Sequence, residues 1–268
     1  MNKFFKGIAL GAAASLMALS FAACSEGDVS SNGSGASEGS DTASLDLVSD
    51  GKLIMGTNAA FPPFEYQEGG EVVGVDAELV GEIAERLGLE LEIKDMEFES
   101  LSGALSGGTI DVIAAGFTVE PDREETMDFT NTYFTAKQTI LVLADSGYNT
   151  ADDLENKKIG GQTSTTGLTC AEELTTKENI IGYSNGSLAV EALLGGAVDA
   201  VIIDNNPANE YKDQHGDKLK LIVDQFPEED YAMAVKKGNA SLLNAINEAL
   251  DEIKADGTFD KIIADYIK

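Results

Sequence analysis

The chain has 268 residues, 43% of them hydrophobic, and 47 acidic residues against 18 Lys and Arg, for a formal net charge of −29. So acidic a chain repels nucleic acid and anionic lipid and favours solubility, which excludes a polyanion-binding role. With two cysteines and one histidine there is no metal-ligand spacing, phosphate-type glycine loop or nucleophile triad to read, so no cofactor and no metal is expected.

Residues 1–23 set Lys3 and Lys6 ahead of an apolar run from Ile8 to Phe21 and close on Ala22-Ala23. Basic, apolar, then small is the order of a secretory signal, and the run is shorter than the roughly 18–20 residues that cross a bilayer. Leu19-Ser20-Phe21-Ala22-Ala23-Cys24 resembles a bacterial lipoprotein signal, with Phe21 where Leu is usual. That resemblance implies cleavage before Cys24 and lipidation of its thiol, and two acyl chains anchor stably where one is marginal. From Ser25 to Ser44 the only large apolar residue is Val29. Such a composition cannot bury enough surface to fold, so residues 24–45 read as an acidic tether with a reach of about 25 Å.

From Leu45 onward strand-like and helix-like runs alternate, the pattern of an α/β protein with largely parallel sheets. Lys52 to Gly56 reads as a buried strand. Asp76 then caps a helix that gathers Leu79, Val80, Ile83, Ala84 and Leu87 on one face and stops at Gly88. Further on, Ala104-Leu105, Gly107-Gly108 and Asp111 recur 88 residues later as Ala192-Leu193, Gly195-Gly196 and Asp199. In each copy a helix ends in paired glycines and a strand follows, Asp111 to Ala115 and Asp199 to Ile203. A fainter echo sets Lys52 to Asn58 beside Lys157 to Thr163. Two similarly built lobes explain both. Asp111 and Asp199 suit turn chemistry ahead of their strands. Ligands of open α/β sheets lie just past the carboxyl ends of the strands, which pairs Gly116 with Asp204 across one crevice. Cys170 reads as a small buried side chain and His215 as part of a solvated turn. Leu243, Ile246, Leu250 and Ile253 form a last apolar helix face before Asp256-Gly257.

Gly56-Thr57-Asn58-Ala59-Ala60-Phe61-Pro62-Pro63-Phe64-Glu65-Tyr66, Gly74-Val75-Asp76, Ala114-Ala115-Gly116-Phe117-Thr118, Arg123 and Asp128-Phe129-Thr130 appear in that order. Thr165-Thr166-Gly167, Asp199 to Asp204 and Ala255 to Ile262 continue the series. Together these resemble the polar amino acid-binding branch of the bacterial solute-binding proteins, over nearly all of residues 45–268. The resemblance implies two Rossmann-like lobes joined by two hinge crossings, the type II periplasmic binding protein arrangement. Lobe 1 is then residues 46–135 and 230–268, lobe 2 is 136–229, and the crossings lie near Tyr133 to Gln138 and Gln225 to Tyr231. It also implies the function: an extracytoplasmic, lipid-anchored monomer, periplasmic or on the outer face of a cytoplasmic membrane, that closes on a free amino acid and passes it to an ABC importer's permease.

An amino acid zwitterion needs a bidentate cation for its carboxylate and an anion for its ammonium group. Arg123 has the planar fork for the first task, against the alternative of a surface pair with Glu124 or Glu125. The resemblance implies that Arg123 clamps the ligand's carboxylate with Thr118 and Thr166 donating to it, while Asp204 and the Gly116 carbonyl take the ammonium. By the same carry-over Asn58, Phe61, Phe98, Gln162 and Thr163 surround the ligand's side chain. Asn58 stands where relatives often carry Asp, which favours neutral polar ligands such as glutamine or cystine over basic ones. Ser164 replaces a common Gly. Two rival classes share the fold, a dehydratase-like enzyme and the sensing module of a receptor; no catalytic residue stands out for the first, and no output segment for the second.

Overall fold

Leu53 and Met55 enter one apolar cluster and Ile54 another, so the strand they form, β1 (Lys52–Thr57), is buried on both faces as a central parallel strand must be. The computed structural model describes residues 45–223 and 225–267. The signal segment, Cys24 and the tether up to residue 44 lie outside the described residues. After β1 come a meander of β2 (Ala60–Phe61), β3 (Glu65–Glu68) and β4 (Glu71–Val73), then α1 (Val75–Leu87), β5 (Glu90–Asp95) and α2 (Leu101–Ser106). β6 (Val112–Ile113), α3 (Pro121–Glu124), β7 (Met127–Phe129) and β8 (Phe134–Leu143) follow. Next are β9 (Ile159–Gln162), α4 (Thr166–Cys170), β10 (Ile180–Tyr183), α5 (Gly186–Leu194), β11 (Ala200–Asp204), α6 (Asn205–His215), β12 (Leu219–Ile222) and β13 (Glu228–Tyr231). The last elements are β14 (Ala234–Lys236), α7 (Ala240–Ala255) and α8 (Thr258–Tyr266).

Besides the small β2-β3-β4 sheet, the strands make two larger sheets of matching design, in the orders β5-β1-β6-β14-β7 and β10-β9-β11-β8-β12. In each, the first three strands are parallel and the fourth is reversed. The faint sequence echoes therefore mark equivalent places: β1 matches β9, and β6 matches β11. The two repeated aspartates do matching work. Asp111 accepts from the backbone N–H of Val48 at 2.7 Å and of Ile54 at 2.8 Å. Asp199 accepts from the N–H of Lys158 at 2.9 Å and from the Tyr148 hydroxyl at 3.1 Å. Each carboxylate pins the turn before its own strand to the entry of the neighbouring central strand.

The chain enters the second sheet through β8 and leaves it through β13, and the two run antiparallel from Phe134 opposite Tyr231 to Lys137 opposite Glu228. Beyond that ribbon β8 pairs with β11, with Gln138 opposite Asp204. α7 and α8 pack on α1, returning the end of the chain to the first lobe. No helix among the described residues is long and apolar enough to cross a membrane.

Three local expectations need correction. Asp76 does not cap α1. The helix starts after Gly74, at φ 122, where an added Cβ would clash with the Phe64 carbonyl oxygen. Asp76 is thus inside the first turn, 1% exposed, with its carboxylate turned inward. His215 ends α6 and is half-buried rather than lying in a solvated turn. Cys170 is half-buried rather than buried, yet burial still pushes its thiol up to about 12, which leaves it an unreactive neutral thiol.

Candidate functional site

Loops and residues at the carboxyl ends of β1, β6, β9 and β11 converge on one narrow cavity, at the place where open α/β sheets bind their ligands. Its walls include Asn58, Phe61, Phe98, Gly116, Thr118, Arg123, Gln162, Thr166 and Asp204. Nine of the ten ligand-binding residues expected from sequence thus come together. The tenth, Thr163, does not line the cavity. Its hydroxyl faces Gly182 of β10, where an added Cβ would lie 2.6 Å away, because the alternation of the strand end turns it from Gln162's side. Thr165, the N-cap of α4, lines the wall in its place.

Asp204 is 8% exposed at the end of β11. Its Oδ1 accepts from the Tyr231 hydroxyl at 2.6 Å and from Gln138 Nε2 at 2.8 Å. Burial raises its carboxyl to about 6, and the nearby Glu229 adds to that, while the Tyr231 and Gln138 donors pull the other way. Arg123 comes from the short α3 of the first lobe. Its guanidinium carbon stands 4.1 Å over the Phe117 ring and 5.6 Å from the Phe98 ring centre, a stacked cation held out of water. Nη1 donates to the Thr118 carbonyl at 2.8 Å, Nη2 to the Ser164 carbonyl across the cavity at 3.1 Å, and Nε pairs with Glu120 at 3.0 Å. Its intrachain carboxylate partner is thus Glu120 and neither Glu124 nor Glu125. Burial lowers its pKa while Glu120, Glu229 and Asp204 hold the charge.

At another part of the wall Gln162 Nε2 donates to Asn58 Oδ1 at 2.8 Å, and Asn58 Nδ2 to the Met96 carbonyl at 2.8 Å. This amide pair joins the lobes and is electrically neutral. Gly116 adopts φ 51, and a Cβ there would meet Phe61 Cε1 at 2.7 Å. Only a bare backbone lets the Phe61 ring lie against this turn. The Gly116 N–H donates to Asp76 Oδ2 at 2.8 Å and the Tyr133 hydroxyl to Asp76 Oδ1 at 2.8 Å. Burial still raises Asp76 to about 6.

The hydroxyls of Thr118 and Thr166 both donate to Glu229 Oε2, at 3.1 and 2.7 Å, and Gln138 Nε2 reaches the same oxygen at 3.3 Å. Glu229 belongs to β13, so one hinge-strand carboxylate ties a hydroxyl of each lobe.

Residues 53–268 match the family model of the bacterial extracellular solute-binding proteins, family 3. The chain belongs to this family. It is 31% identical over 214 residues to the arginine-binding extracellular protein ArtP of Bacillus subtilis, a match covering 79% of this chain and 84% of that one. Among solved structures it is similar to the arginine-, lysine-, histidine-binding protein ArtJ of Geobacillus stearothermophilus, at 36% identity and a TM-score of 0.77 over 81% of this chain and 95% of that one. An ancestral arginine-binding protein, solved bound to arginine and also bound to glutamine, is 39% identical with a TM-score of 0.77. The arginine complex is matched over 81% of this chain and 99% of that one. These neighbours share the two-lobed type II architecture with this family 3 solute-binding protein.

Sequence reasoning missed Glu65, Thr165, Gln138, Glu229 and Tyr231. Glu65 stood in the Phe-Pro-Pro-Phe-Glu-Tyr run as an acid directly after apolar residues, and that was its signal. Glu229 and Tyr231 share one face of β13 by strand alternation, while Glu228 and Asp230 are exposed. Nothing in the run Glu228-Glu229-Asp230 says which of the three turns inward.

Proposed function

We propose that this family 3 protein is an extracytoplasmic receptor for a free polar amino acid, which it closes around and delivers to an ABC import permease. The observation that carries the reading is that Arg123 and Asp204, borne by different lobes, wall one cavity. A zwitterion set between them satisfies both charges at once. Arg123 takes the carboxylate and Asp204 the ammonium, with Gly116 on the Asp204 side. Phe61 and Phe98 cover the ligand's body, and Asn58 with Gln162 meets its polar end. Thr118 and Thr166 complete the carboxylate clamp by turning their hydroxyls from Glu229 to the ligand.

Contacts to both charges exist together only when the lobes meet, so the ligand favours the closed form by its differential affinity for it. The moving unit is residues 136–229, swinging on the β8–β13 ribbon against residues 46–135 and 230–268; hinge closure around a ligand is the known motion of periplasmic binding proteins. One chain supplies the whole cavity, so the working unit is a monomer that binds without chemical turnover. Cys24 carries the lipid anchor, and residues 24–45 let the body reach the permease.

The ligands of the relatives named above, arginine, lysine, histidine and glutamine, with the cystine expected from sequence, are the first probes. A thermal-shift screen of the twenty amino acids and cystine on protein starting at Leu45 identifies the ligand. A micromolar ligand amounts to about 8 kcal/mol. Arg123→Ala is expected to abolish its calorimetric heat while the circular dichroism of the folded protein is retained; undiminished heats in the variant overturn the assignment.

A further inference from the structure

Glu65 opens β3 in the cavity wall and is 1% exposed. Its Oε2 is fully buried and has no hydrogen-bond partner, a costly condition for an acceptor and one that calls for a donor. Around Glu65 stand Asp76 from α1, Asp204 from β11, Asp95 from β5 and the hydroxyls of Tyr133 and Tyr231; the cation in the same cavity is Arg123. Two carboxyl groups in contact within an apolar wall share a proton, because both cannot ionise there. Asp76 already accepts from Gly116 and Tyr133, so it is the better carboxylate and Glu65 the member that holds the proton. Burial first, and then Asp76, raises the Glu65 carboxyl well above its ordinary range. A neutral Glu65 bonded to Asp76 through one oxygen presents the other to the cavity as an acceptor.

We propose that Glu65 is a ligand-contacting, specificity-determining residue whose unpartnered Oε2 accepts an N–H of the bound amino acid's ammonium group beside Asp204. This rests on the amino acid-binding reading above. Ammonium is the donor that suits the place, since Asp204 and Gly116 line the same cavity and a ligand carboxylate set beside Glu65 would be repelled by Asp204 and Asp76. Asp204 supplies the charge, and Glu65 supplies direction, so ligands lacking the α-amino group are discriminated against twice.

The test measures Kd in the wild type, Glu65→Leu and the near-isosteric Glu65→Gln for L-arginine, L-glutamine and the α-desamino analogue of each. The readout is discrimination, the ratio of Kd for the desamino analogue to Kd for the amino acid. It is expected to fall about tenfold to hundredfold in E65L, as for loss of a hydrogen bond to a charged group. E65Q keeps the packing, a donor to Asp76 and the carbonyl acceptor of a neutral carboxyl, so its discrimination stays within about threefold of the wild type. Unchanged discrimination in folded E65L overturns the proposal, because a purely structural residue penalises both ligands of a pair alike; so does an E65Q discrimination as low as that of E65L. If the wild type binds none of the twenty amino acids or cystine, the functional reading itself fails; wild-type binding with unchanged discrimination sinks the Glu65 assignment alone.

Discussion

Arg123 and Asp204 show how a single residue's chemistry depends on what the fold sets beside it. Asp204 in water would be ionised across the physiological range, but burial brings it to about 6. The bound ammonium favours the carboxylate, so below pH 6 binding must also remove a proton. Calorimetry from pH 7 down to pH 4.5 is expected to show Kd rising about tenfold per pH unit below about 6; a flat profile would mean that the ammonium does not meet Asp204. Ser164 is a second case. It sits at φ 65 with its carbonyl held by Arg123, in the left-handed region that costs a side chain about 1–2 kcal/mol. Ser164→Gly is expected to stabilise the protein by up to about 1 kcal/mol after the added freedom of the unfolded chain is counted, read as a higher midpoint in urea. Both residues were legible in sequence as positions in a motif. Glu229 was not, because which acid of a solvated-looking trio faces inward depends on the register of β13 against β8.

Among the elements, apolar periodicity was a sound guide. α1 buries Leu79, Val80, Ile83 and Ala84 as its spacing requires. α7 buries Ile246, Leu250 and Ile253 but leads with Leu242, while Leu243 is only partly buried; one residue of rotation about the helix is below what a stripe of four positions resolves. Glycine pairs marked the ends of α2 and α5 correctly. What sequence left open was the purpose of the aspartates behind them. Asp111 accepts from the backbone N–H groups of Val48 and Ile54, the second of them buried, so Asp111→Ala is expected to destabilise the fold by about 2–4 kcal/mol, visible as a lowered melting temperature without loss of ligand affinity. The strand ends β6 and β11, read from the 88-residue echo, carry Gly116 and Asp204 to one cavity. The short β2–β3–β4 meander, which delivers Glu65, has too little periodicity to be foreseen.

For the whole molecule, the cavity gathers acids that repel one another when empty. Asp76 and Asp204 both have folded values near 6, above the 3.8 of an ordinary Asp. Stability from a raised carboxyl is complete below its unfolded value and is lost as pH rises through the folded one, so the ligand-free protein is expected to be more stable near pH 4.5 than at pH 7.5. Over that window each group contributes on the order of 2 kcal/mol by linkage, and exposed ion pairs oppose this weakly. Melting curves at the two pH values check it. At pH 7.5 an amino acid at a hundredfold excess over Kd adds about 2.7 kcal/mol, a rise of roughly 5–10 °C in Tm for a domain of this size. The amino acid sequence by itself determined the α/β class, the repeated lobe, the expectation of export and anchoring, and the two charged residues, Arg123 and Asp204, that meet in one cavity. Those features are written in local periodicity and in short ordered motifs. Tertiary structure alone decided that Thr163 turns away, that Glu229 holds the hydroxyls of both lobes, and that Glu65 and Asp76 form a buried acid pair. Each of these depends on which side chains from distant segments become neighbours once water is excluded, and no local pattern records that.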